Sequence, residues 1–459
     1  MQKFVPIFKL SQIIIFVGVI FSQDYLVKTS DEFEVELDSS LTITPYLESL
    51  LSSRHSWGDL YKLTGFKQGN PTKISYDLFH EKMFIDSLLI LSHENVHYRT
   101  LNRFFRPLRK VQSLKELNTS VHQLQRSNYF IGSGTNVIIA RYSERKLLAM
   151  VDPELHFENH FSGILGMSNE KSTMALSGDI QFHFENLWKT AGIIDIRLKR
   201  WKAESEKLFL SLEEPFIFHL PFGAKLEYYY EVHEGMYIKT QSSLGILSYG
   251  QIFGKWEFTG VNTHIEPTED GLEKGLNILK EHSLRVSHLI GVQTREWHPK
   301  RGLNMNTKMS LGRLSVRDKS YATGELDHQA VLVHSLTIKS GIKHIINFMG
   351  RWSSRDSLES SQLIRFGGND NLRGYRENQF FSEWVVIPSI EVFHYVTDKS
   401  ILSIFIEGAV QENYRPFPWN YGFSLDQDNS TNHITISFAW GRGQSFSQGK
   451  ININIVNIL

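Results

Sequence analysis

From about His156 to the C-terminus the chain reads as a succession of short segments in which apolar and polar residues alternate. Ile180, Phe182 and Phe184 alternate with Gln181 and His183, and Ile194, Ile196 and Leu198 alternate with Asp195 and Arg197. Leu226, Tyr228, Tyr230 and Val232 stand against Glu227, Tyr229 and Glu231, and Leu284, Val286 and Ile290 keep one parity that His288 interrupts. Ile434, Ile436, Phe438 and Trp440 follow, and the last segment sets Ile451, Ile453 and Ile455 against Asn452 and Asn454. A period of two places the apolar set on one face of a strand and the polar set on the other.

Residues 88–153 carry a different pattern. Leu88–Leu91 is a short apolar run, Thr100 is placed to cap a short helix through Leu101, Phe104 and Phe105, and Pro107 would end it. Ser113 and Glu116 have the spacing of a capping box, and Leu114, Leu117, Val121 and Leu124 then recur at helical spacing. Val137–Ile139 and Leu147–Val151 predict two strands joined by a polar turn at Ser143–Arg145. The expected order is β-α-α-β-β.

Alternation alone fits a soluble sandwich as well as a membrane barrel. Three features favour the barrel: many strands of similar length, aromatics near strand ends (Phe216, Phe218, Trp256, Trp297, Trp352, Trp384, Trp419), and charge on the non-apolar face, as a wet lumen allows. A closed sheet also pairs its own backbone groups in lipid without any helix. At the N-terminus, Lys3 and Lys9 precede the apolar run Ile13–Phe21, and Ser22 is a small residue ahead of Gln23, so residues 1–22 read as a signal peptide. The alternative is a membrane anchor, for which the run falls short of the roughly 20 residues a spanning helix needs.

Composition narrows the function classes. Lys+Arg and Asp+Glu both number 49, which gives no basic surplus for nucleic acid. Cysteine is absent, which removes disulfides, thiolate metal ligands and cysteine nucleophiles. His93-Glu94-Asn95-Val96-His97 spells H-E-x-x-H, the zinc-protease signature. That chemistry needs both histidines on one helical face. Here the motif lies between an apolar strand-like run and a helix cap, which favours a structural turn over a zinc site. No catalytic motif, cofactor site or other metal-ligand spacing is found, and an enzyme is not expected.

The stretch Leu363–Trp384, LIRFGGNDNLRGYRENQFFSEW, resembles the L-R-G-Y/V-R-G-F signature of the BamA/TamA superfamily of outer-membrane barrels. Leu372, Arg373, Gly374 and Tyr375 match it, preceded by Gly367 and Gly368. LSIFIEGAV resembles the family's F-x-D-x-G strand through Phe405 and Glu407, with Glu in place of Asp and Ala409 in place of Gly. Pro299 with Gly302, and Pro215 with Gly223, resemble the family's strand openings, and the β-α-α-β-β block resembles a POTRA domain.

The resemblance implies a transmembrane antiparallel barrel of 16 strands over residues 154–459, a POTRA-like domain over 88–153, and a segment over 23–87 that could be a degenerate POTRA. It implies an outer-membrane location with the N-terminal part in the periplasm. It also implies contact with outer-membrane lipid, unfolded protein clients and assembly partners. The implied function is assembly or translocation of unfolded polypeptides, with a two-partner-type secretion transporter or a passive pore as alternatives.

If the apolar set Leu402, Ile404 and Ile406 meets lipid, Glu407 faces the lumen and wants a cation. Arg373 on an inward-folded loop could supply it. Gly374 would permit a tight turn, and Tyr375 would pack on the wall. The first barrel strand, near His160–Gly166, and the last, Gly449–Val456, would close a seam. The last strand lacks the usual terminal aromatic, which bears on how firmly it closes.

Overall fold

The computed structural model describes residues 25–459 except 30–33, 38–39, 55–56, 58, 70, 81–82, 92–93, 129, 144, 171–172, 203, 218–219, 251–253, 292–301, 370 and 430. The expected signal peptide, His93, Phe218, Trp297 and Pro299 lie outside the described residues. The chain divides into two compact units, one holding residues 1–125 and 131–155 and the other 126–130 and 156–459.

The first unit contains two small sheets. One is built from β1 (Tyr25–Thr29), β2 (Glu34–Leu37), β3 (Asp59–Lys67) and β4 (Thr72–His80) in the order β2-β1-β4-β3, with α1 (Ile43–Arg54) between β2 and β3. β1 runs parallel to β4, and Val27, Ile43, Leu47, Tyr61 and Ile74 form its core. The other holds β5 (Phe84–Ile90), β6 (Asn136–Arg141) and β7 (Lys146–Asp152) in the order β5-β7-β6, with α2 (Tyr98–Phe104) and α3 (Leu114–Ser127) between β5 and β6. β5 is parallel to β7, and β6 antiparallel to it.

Three local readings are corrected. β5 opens at Phe84, ahead of Leu88, because Ile85 is buried against the sheet, and a register shift between Ile85 and Ser87 hides the continuity from the apolar pattern. His97, not Thr100, is the residue before α2; Thr100 is buried inside the helix. The Ser113 hydroxyl accepts from Glu116 N (3.2 Å), but the Glu116 carboxylate accepts from Gln112 N (2.8 Å) rather than closing the reciprocal box.

The second unit is a closed barrel of 16 antiparallel strands. The wall begins with β8 (His160–Glu170), β9 (Thr173–Glu185), β10 (Ile193–Lys202), β11 (Ser205–Glu214), β12 (Gly223–His233), β13 (Tyr237–Gly250) and β14 (Gly254–Pro267). After α4 (Glu269–Glu273) come β15 (Leu279–Gly291), β16 (Gly302–Val316), β17 (Lys319–Ser335) and β18 (Ser340–Ser353). A short ribbon, β19 (Ile364–Phe366) and β20 (Phe380–Ser382), then interrupts the wall. β21 (Trp384–Thr397), β22 (Ser400–Gly408) and its continuation β23 (Val410–Gln411), β24 (Trp419–Asp428), β25 (Asn432–Gly441) and β26 (Lys450–Ile458) complete it. β8 begins at the end where the chain enters the barrel; the ribbon's loop lies at the opposite, far end.

Side-chain parity sets the two faces. On β22 Leu402, Ile404 and Ile406 are exposed on the outside, while Ser403, Phe405 and Glu407 are buried inside. On β14 Phe258 is outside, whereas Glu257, Thr259 and Thr263 are inside and buried. The lumen side carries ion pairs such as Arg351–Glu281 (2.7 Å) and Lys225–Glu227 (2.7 Å). An apolar outer belt around a charged interior is the arrangement that a hydrocarbon surround and a wet lumen demand.

Candidate functional site

The site grows from the β19–β20 ribbon. Between its strands the chain turns at Gly367 (φ +109°) and Gly368 (φ +97°), conformations that L side chains rarely adopt. A Cβ on Gly368 would also meet the Glu377 carboxylate. The turn presents Leu372, Arg373, Gly374 and Tyr375 at the tip. Leu372 is fully buried in an apolar cluster with Phe366, Tyr375, Phe380, Val385, Ile387 and Ala409, which fastens the ribbon to the inner wall.

Arg373 is the polar centre. Its Nε donates to Glu407 Oε1 (2.8 Å), its backbone N–H to Glu407 Oε2 (3.0 Å), and its Nη2 to Glu391 Oε2 (3.3 Å). The guanidinium carbon lies 3.3 Å from the centroid of the Phe405 ring. All of Gly367, Gly368, Leu372, Arg373, Gly374, Tyr375, Phe405 and Glu407 are thus brought into one assembly. The Arg373 side chain is 15% exposed and both carboxylates 7%, so the charges are largely shielded and depend on one another.

Gly374 has a role other than the expected tight turn. Its φ is not positive; instead, a Cβ there would come within 2.7 Å of Gly441 N and 2.8 Å of the Asn420 Cβ. The glycine lets the loop touch the wall. Tyr375 seals the contact: its hydroxyl donates to Trp419 O (2.9 Å) and accepts from Arg442 N (3.0 Å).

Sequence reasoning missed four participants. Glu391 is the second carboxylate, directly paired with Phe405 across β21 and β22. Its signal was a lone charge on the inward parity of β21. Lys199 on β10 reaches Glu377 of the loop (2.9 Å), Gln444 Nε2 donates to Gly374 O (3.3 Å), and Asn452 Nδ2 on β26 donates to Arg373 O (3.3 Å). These come from β10, the β25–β26 connection and β26, and no spacing announces them.

The seam lies beside this assembly. β26 and β8 pair over Val456–Ile458 against His160–Ser162, continued by a bond from Leu459 N to Asn159 O (2.7 Å), whereas β13 and β14 pair along Tyr237–Gly250. Of the H-E-x-x-H motif, Glu94 and Asn95 form a turn, and α2 starts only at Tyr98, after His97. Glu94–His97 therefore lie outside any helix, whereas a zinc protease needs its motif on one.

No family profile matches the sequence, and no curated protein matches it. Solved structures do. CdiB from Acinetobacter baumannii superposes with a TM-score of 0.59 at 11% identity, covering 98% of this chain and 93% of that one. CdiB from Escherichia coli gives 0.58 at 12% identity, covering 99% and 94%. BamA from Haemophilus ducreyi lacking POTRA domains 1–3 gives 0.53 at 12% identity, covering 92% and 94%. The likeness extends over nearly the whole of each chain, and this protein has the fold of the BamA- and CdiB-type outer-membrane β-barrels.

Proposed function

We propose that this protein handles unfolded polypeptide clients at the outer membrane, inserting them into the bilayer or passing them across it, without catalytic chemistry. The observation that carries the reading is the seam: the first and last strands of a closed barrel are joined along a fraction of their length, next to a loop fixed inside the lumen. Unpaired strand edges template an incoming strand. A client strand could add to β8 or β26, and the free energy of its own folding would drive the step. The two small sheets of the first unit would then lie in the periplasm as POTRA-like modules. Their outer strands β3 and β6 offer backbone edges for β-augmentation of an extended client.

The test uses the barrel with its N-terminal unit, reconstituted in vesicles, with a urea-unfolded unrelated barrel protein added. Client folding is followed by heat-modifiable gel mobility. The seam is pinned at its paired end, against widening, in a Phe161→Cys/Asn457→Cys variant, since these residues face one another across it and the chain has no other cysteine. The reading expects faster client folding with the reduced protein and loss of that acceleration after oxidation, restored by reductant. A folded barrel that accelerates nothing in either state would overturn insertion and turn attention to dedicated secretion or a passive pore.

A further inference from the structure

On the outer wall away from the seam, the register stacks residues into rows across β12–β16. One row runs Leu226, Leu244, Gly260, Leu284, Leu311. Leu244 and Leu284 stand 63% and 73% exposed on either side of Gly260, and the missing side chain leaves a notch between them. The resulting groove has a volume of about 850 Å³. The next row towards the far end changes character at once: Ser242, Asn262, His282, Arg313. His282 Nδ1 lies 2.5 Å from Asn262 Oδ1, which ties two of these together. Arg313 makes no ion pair or hydrogen bond among the described residues.

Two other outward glycines of the wall, Gly163 and Gly324, are covered. A Cβ on Gly324 would strike the Trp352 indole at 2.2 Å, and one on Gly163 would touch the Phe161 ring at 3.0 Å. At Gly260 the nearest atom is Leu244 O at 4.0 Å. An uncovered glycine in a strand forfeits packing and conformational entropy. Here the vacancy is walled by leucines and capped at one end by a cation.

We propose that the Gly260 groove binds an acyl chain of a phosphate-bearing lipid from the leaflet at the far end of the barrel, with the phosphate held by Arg313 and the Asn262 amide. The charge complementarity selects the occupant. A guanidinium at the apolar–polar boundary is matched by a phosphate ester at the same depth, and Arg binds phosphate through a planar fork. The leucine walls are matched by a chain that fills the notch. A passing apolar side chain of another protein would leave Arg313 unanswered. The inference requires the membrane barrel, not the client-handling activity, so the two fail separately.

The experiment is native mass spectrometry of the full chain released from micelles containing one of two probes. The first is a multi-acylated diglucosamine bisphosphate; the second is the same lipid with its phosphates removed. Four proteins are compared: wild type, Arg313→Gln, Gly260→Leu, and Leu332→Ala as a control on the outer face of β17. Folding of each is checked by heat-modifiable mobility, and Gly260→Leu has open space for its side chain. Arg313→Gln should reduce retention of the phosphorylated probe by about tenfold, the loss of one charge-assisted contact, and leave the dephosphorylated probe unchanged. Gly260→Leu should reduce retention of both. The proposal is overturned if Arg313→Gln retains the phosphorylated probe like wild type, if Gly260→Leu changes neither probe, or if Leu332→Ala loses as much as Gly260→Leu. Should Gly260→Leu not fold, the Arg313→Gln comparison still decides.

Discussion

Arg373 at the loop tip binds two carboxylates on two adjacent strands and stacks on a ring between them, while β8 and β26 hold each other at one end, where residues 159–162 meet 456–459. A lumenal loop of a barrel would ordinarily be its loosest part and the strand ladder its firmest. Here the order is reversed. The loop is buried and charge-locked, and the ladder is interrupted. The difference teaches where the strain of an opening wall would go: a fixed loop keeps β21 and β22 in place, so movement concentrates on β26 and β8.

The largest effect is expected from removing the lock. Glu407→Ala leaves the Arg373 guanidinium with the more distant Glu391 and strips its backbone N–H of an acceptor. Breaking a shielded pair from one side costs about 3–5 kcal/mol, the lower figure where lumenal water reaches the site. The midpoint of heat-modifiable mobility should fall clearly. Glu391→Ala, which loses one 3.3 Å contact, should fall less. Equal effects would mean that Glu407 has no privileged role, and no fall in either variant would mean that the Leu372 cluster alone holds the loop.

A second test addresses the seam by cross-linking. Residues directly opposite in an antiparallel pair have Cβ atoms about 4.5–5.5 Å apart, within reach of a disulfide. Phe161→Cys/Asn457→Cys should therefore oxidise nearly completely. Ile164→Cys/Asn454→Cys, which would be opposite if the ladder continued in register, should oxidise slowly and incompletely. Equal rates would show that the ladder closes along its length in the membrane and would remove the support for strand templating.

The sequence made the barrel legible because period-two alternation survives wherever one face meets hydrocarbon and the other water. Leu402, Ile404 and Ile406 against Phe405 and Glu407 is such a case; parity put Glu407 in the lumen, and the resemblance of the Leu363–Trp384 stretch supplied Arg373 as its partner. Less was legible where geometry depends on which strands become neighbours. Glu391 carries a visible charge, but its place beside Arg373 follows from the β21–β22 register, and Asn452 arrives from the strand that closes the circle. Gly374 was read as allowing a tight turn, yet its constraint is steric, imposed by Gly441 and Asn420. The first small sheet was obscure because β1 and β2 precede α1, and Val27 meets Ile74 only once β1 pairs in parallel with β4.

The smallest effect on stability, and the sharpest on the comparison, is expected at Asn452. Its amide joins the locked loop to the last strand through a single hydrogen bond to Arg373 O, so Asn452→Ala should lower the stability by no more than about 1 kcal/mol. Its consequence for the seam should be larger. Ile451 and Ile453 face outward on the same strand, and the inward Asn452 holds β26 against the loop rather than against β8. Releasing it frees β26 to extend its pairing beyond Val456. Added to Ile164→Cys/Asn454→Cys, Asn452→Ala should raise the rate of disulfide formation severalfold while leaving Phe161→Cys/Asn457→Cys unchanged. An unchanged rate would mean that the interruption of the ladder belongs to β8 and β26 themselves, and that the loop and the seam are neighbours without being coupled.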